Sequence, residues 1–67
     1  MLGDAQRAIS FYEQCLEIAR EIGDRQGQAA ALGGLGLAYL MLGDAQRAIS
    51  FHEQDLEIAR ETGDRQG

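Results

Sequence analysis

His52 and Asp55 stand three residues apart and Cys15 is the single cysteine, so metal ligation and thiolate attack are the first chemistries to test against this sequence. A protein metal site draws three or four ligands from His, Cys, Asp or Glu side chains. His52 and Asp55 supply two, and the matching positions in an earlier copy of the same segment are Tyr12 and Cys15. They read as a half-exposed polar pair, and no metal is expected. A cysteine nucleophile needs a base that holds it as the thiolate, and Cys15 has no histidine or aspartate arranged for that work. Gly33, Gly34 and Gly36 suggest a phosphate cradle, but no strand pattern precedes them, the dinucleotide fingerprint fails after its second glycine and no Lys-Ser/Thr pair follows. Glu13, Glu17 and Glu21, with their copies Glu53, Glu57 and Glu61, could collect cations. Their four-residue spacing among Arg20, Arg25, Arg60 and Arg65 is instead the pattern of a solvated helix face. No catalytic residue and no cofactor is expected, and the chain does not read as an enzyme.

Charge narrows the partners. The 67-residue chain carries six arginines, no lysine and eleven acids, for a formal net charge of −5, and the arginines are scattered singly. Nucleic acids and anionic lipid surfaces are bound by clustered basic residues that displace counterions, so neither is an expected partner. Ala29 to Leu42 is uncharged but only 14 residues long. A membrane-spanning helix needs about 20, and a run this short is the length of a buried helix. One cysteine permits no disulfide within a chain, so a reducing, cytoplasmic setting is the expectation. With 45% hydrophobic and 25% charged residues, the chain has enough apolar content to fold.

The elements that must hold these residues are set by a repeat. Met1 to Gly27 returns as Met41 to Gly67 at an offset of 40, changed only at Tyr12/His52, Cys15/Asp55 and Ile22/Thr62. Fixed periods of 20–50 residues mark solenoids and arrays. Both ends of the sequence fall at joints inside the repeat, as in a piece taken from a longer array. Ala8, Ile9, Tyr12, Cys15, Leu16, Ala19 and Ile22 recur at three- and four-residue steps, which predicts an amphipathic helix over 4–22 and its copy over 44–62. Asp4 and Asp44 stand as N-caps, and Gly23 and Gly63 as left-handed C-caps. Residues 28–42 read as a helix apolar on every side, buried between its neighbours. The joints are short, so the expected fold is all-α: three antiparallel helices, up, down and up.

Leu32, Leu35, Gly36, Tyr39, Gly43, Ala48 and Leu56 match the spacing of the tetratricopeptide pattern, and the chain resembles that family over its whole length. The 40-residue period and stretches such as AISFHEQDLEIARE resemble the arrays of LGN/Pins-type spindle-orientation adaptors and of bacterial regulators. The resemblance implies that Gly36 and Ala48 let two helix backbones approach while Leu32, Leu35 and Tyr39 fill the space around them. It also implies that the first helix of the repeat lines a concave groove. That face is Ala30, Gly33, Gly34, Leu37, Leu40 and Met41, and it would take a helical or extended segment of a protein partner. Gly34 and Leu37 stand where many such arrays carry groove asparagines, so a clamp for a terminal carboxylate is not implied.

Two functions compete. The first is an interaction module that binds a protein or peptide in this groove. The second is a structural element that associates with its own copies, as a homo-oligomer built by stacking or by helix exchange through residues 23–27. Arrays gain stability from nearest-neighbour contacts and are normally closed by polar caps, which this sequence lacks.

Overall fold

The computed structural model describes residues 2–63, which form α1 (Leu2–Ile22), α2 (Arg25–Met41) and α3 (Ala45–Thr62), with no strand among them. The helices run up, down and up. α2 packs on both neighbours, and no Cα of α1 comes within 8 Å of a Cα of α3.

The two turns are one device used twice. At the first, the Gly23 N–H donates to the Arg20 carbonyl at 3.3 Å and the Asp24 N–H to the Ala19 carbonyl at 2.8 Å. At the second, Gly43 donates to Leu40 at 3.0 Å and Asp44 to Tyr39 at 2.9 Å. This is the paired closure that ends a helix on a left-handed residue, and Gly23 and Gly43 take φ of 74° and 81°, where a side chain would be strained. The following aspartate opens the next helix. Asp24 accepts from the Gly27 N–H at 2.9 Å and Asp44 from the Arg47 N–H at 3.1 Å, satisfying donors that a helix start leaves free.

Three boundaries differ from those expected. The helix anticipated over 28–42 begins at Arg25, because Asp24 caps it, and ends at Met41, because Leu42 is already the C-cap. Asp4, anticipated as a cap, lies inside the first turn of α1. The same Met-Leu-Gly-Asp sequence closes one helix and starts another at 41–44, whereas Leu2 to Asp4 are part of α1 itself. There the carboxylate faces the positive end of the helix dipole instead.

The core is thin. Leu16, Ala31, Leu32, Leu35 and Ile58 form its centre, with Ile9, Tyr12, Tyr39 and Phe51 packed at the edge. The molecule measures 35 × 25 × 15 Å, little thicker than one helix with its side chains, and Leu32 and Leu35 are the largest fully buried side chains among the described residues. Small residues on the contact faces, Ala5, Ala19, Ala38, Ala48 and Ala59, keep the helices close and are themselves buried. Tyr39 stacks on Phe51 with ring centroids 5.5 Å apart, and the Arg47 guanidinium lies 5.5 Å from the Tyr39 ring. The buried Gln28 accepts from Arg25 at 3.1 Å, and Arg25 also pairs with Glu61, tying the start of α2 to the end of α3. Both partners of that ion pair are exposed, so it is worth at most about 1 kcal/mol.

Candidate protein-interaction surface

α2 carries no charged side chain after Arg25, and the turn beyond it none before Asp44. Its two sides do different work. Gln28, Ala31, Leu32, Leu35 and Ala38 point into the core. At 100° per residue, Ala30, Leu37, Leu40 and Met41 fall on the opposite side, and they are exposed. Leu37, Leu40 and Met41 show 57%, 54% and 61% of their surface to solvent, side by side. The helix anticipated as buried all round is therefore open along one stripe.

Gly33 and Gly34 bound that stripe and are half-buried. A Cβ at Gly34 would lie 2.5 Å from the Tyr12 ring, and one at Gly33 would lie 3.3 Å from the Asp55 carboxylate. The glycines thus receive side chains from the two flanking helices, Tyr12 from α1 and Asp55 from α3. Gly36 is buried, and a Cβ there would lie 2.7 Å from the His52 ring. Where a close approach of the backbones was anticipated at Gly36 and Ala48, the His52 ring rests on Gly36, and Ala48 is buried. His52 and Asp55 therefore belong to the α2–α3 contact. A signal for this lies in the sequence: Gly33 and Gly36 are three apart, as are His52 and Asp55, and antiparallel helices pair such positions in reverse order.

On the other side of α2, a cleft of about 570 Å³ opens between α1 and α3. Leu16, Leu35 and Phe51 line it together with the carboxylates of Glu13, Glu17 and Glu21 and with Arg20. Among the described residues no three His, Cys, Asp or Glu side chains are grouped to hold a metal ion, and no helix is long and apolar enough to cross a membrane. Cys15 is half-buried, forms no disulfide and packs against the core cluster.

A family model described as the tetratricopeptide repeat matches residues 1–61. Repeats of that family are protein–protein interaction modules and are generally non-catalytic. No curated protein and no solved structure matches the chain.

Proposed function

The chain belongs to the tetratricopeptide repeat family, and on that premise we propose that it binds a helical or extended segment of another protein along the open stripe of α2. The observation that carries this reading is the row of Leu37, Leu40 and Met41, large, apolar and more than half exposed on a helix held rigid from both flanks. Ala30 and Gly33 continue the row toward the start of α2, and Gly34 lets Tyr12 close its edge. A partner segment placing apolar side chains at i, i+3 or i+4, and i+7 would cover the stripe, and apolar area removed from water contributes about 25 cal/mol per Å².

Selection of peptides from a random displayed library tests this, with the Leu37→Asp/Leu40→Asp variant as the counter-target. Both leucines are exposed, so the variant keeps its helicity by circular dichroism. Peptides held by the parent and released by the variant support the groove. Peptides held equally by both place the binding elsewhere and overturn it.

Self-association is the second reading, favoured by the exposed Phe11 and Ile18 of α1 and Ile49 and Leu56 of α3. Sedimentation equilibrium over a wide concentration range decides it: a discrete helical dimer supports it, and a folded monomer at every concentration rules it out.

A further inference from the structure

The two helices that flank α2 differ within the repeated segment only at Tyr12/His52, Cys15/Asp55 and Ile22/Thr62. At 100° per residue these positions fall within an arc of about 80° on the helix. Each change runs the same way, from the less polar side chain in α1 to the more polar one in α3. The packing shows what that stripe faces. Tyr12 lies against Gly34, His52 against Gly36 and Asp55 against Gly33, so two of the three differences sit where the flanking helices meet the glycines of α2. Gly33 and Gly34 in turn bound the open row of Leu37, Leu40 and Met41. The row therefore has two unlike walls. One is the Tyr12 ring, with Cys15 a turn further along α1, and the other is an imidazole and a carboxylate.

α2 brings no charge to this surface between Arg25 and Asp44, which leaves Asp55 as the charge at the edge of the row. Its carboxylate lies 3.3 Å from where a Cβ of Gly33 would stand, so the missing side chain leaves it room at the rim. Asp55 is half-buried, and among the described residues the ion pairs are Arg25–Glu61 and Arg47–Asp44, neither of which involves it. A carboxylate partly withdrawn from water beside an apolar row favours a partner that brings the cation. We infer that the groove reads its partner's charge: the bound segment carries an arginine or lysine on the flank facing α3, paired with Asp55, and an apolar flank toward Tyr12. This rests on the α2 groove proposed above and names the chemistry it selects. Gly33 precedes Leu37 by four residues, about 6 Å along the helix, so the basic side chain sits about one helical turn from the residue that covers Leu37. A segment with its basic residue on the other flank covers Asp55 without pairing it, and a carboxylate left buried and unpaired is costly.

Peptides are selected from a random displayed library as those held by the parent chain and released by the Leu37→Asp/Leu40→Asp chain, and their affinities are measured by fluorescence anisotropy. The selected set carries arginine or lysine at one fixed offset from its apolar row. For such a peptide, affinity falls on the order of tenfold with Asp55→Asn, which keeps the shape of the side chain, and by the same factor when the peptide's basic residue becomes glutamine. The two changes together cost no more than either alone, as expected of groups that pair. Moving the basic residue to the opposite flank gives no better binding than the glutamine peptide. Glu53→Gln removes the same charge from an exposed position two residues away and leaves affinity unchanged, which separates contact from net charge. Groove peptides with no fixed basic residue, or full affinity in the Asp55→Asn chain, overturn this inference and leave the groove standing. A selection that returns no peptide released by the Leu37→Asp/Leu40→Asp chain overturns the groove, and this inference with it.

Discussion

At the scale of single residues, the glycines of α2 separate two effects that act in opposite directions. Alanine is favoured over glycine in a helix interior by about 1 kcal/mol, so any of these glycines lowers stability unless its missing side chain makes room. Gly33 faces only the end of the Asp55 carboxylate, 3.3 Å from where a Cβ would stand, and that flexible group yields by a few tenths of an ångström. Gly34 faces the Tyr12 ring at 2.5 Å, and the ring is held in the α1–α2 contact. Gly33→Ala is therefore expected to raise the thermal midpoint. Gly34→Ala is expected to lower it, since overpacking costs about 1–3 kcal/mol and exceeds the gain in propensity. Thermal unfolding followed by circular dichroism checks both signs, and a Tyr12→Ala background should turn the second into a gain. Glycine content alone, read from the sequence, gave the cost to the helix but not which glycine faced a ring. The cap at Asp24 has a signal in the sequence. Gly-Asp recurs at 3–4, 23–24, 43–44 and 63–64, a spacing of 20, and at 23–24 and 43–44 it marks a helix boundary. Asp4 shows the limit of that signal, because α1 already begins at Leu2 and Asp4 lies within its first turn.

At the scale of elements, sequence identity and structural role come apart. Leu16 and Leu56 occupy the same position of the repeat, yet Leu16 is 7% exposed and Leu56 42%. Ile18 and Ile58 invert the relation at 58% and 5%. Truncating a buried leucine or isoleucine to alanine costs about 2–5 kcal/mol, and the same change on a half-open surface costs far less. Leu16→Ala and Ile58→Ala are expected to lose most of the helical signal in urea at concentrations where Leu56→Ala and Ile18→Ala remain folded. Equal losses within each pair would mean that the two faces of the repeated helix are covered alike in solution, against the packing described. The period, the helical type and the order of the three helices followed from apolar spacing because that spacing is local. Which half of each apolar arc meets α2 is not local information. It depends on whether a given copy precedes or follows α2 in the chain, and two identical segments carry no mark of that.

At the scale of the whole molecule, the thinness of the core makes stability a matter of neighbours. A chain of this length buries only about 60% of the surface its unfolded form exposes, and in a 15 Å slab few side chains lose all contact with water. In repeat arrays stability is approximately a sum of unit terms and interface terms between adjacent units. Gly67 holds the place in the repeat that Gly27 holds before Gln28. A further copy of residues 28–67 joined after Gly67 therefore continues the array in register and brings a new α2-type helix to the open face of α3. The expected outcome is a higher urea midpoint together with a steeper transition, because more surface is exposed on unfolding. The decisive element is Leu56. In the lengthened chain it takes over the environment of Leu16, and Leu56→Ala should change from nearly neutral to a loss of about 2–4 kcal/mol. On that face His52 stands where α1 has Tyr12 and Asp55 where it has Cys15. If the loss reaches the full size measured for Leu16→Ala, the imidazole packs against the incoming glycine as well as the phenol does. If Leu56→Ala stays neutral while the lengthened chain is fully helical, the added unit folds without docking on α3, and the second copy of the helix acts as an end to the array.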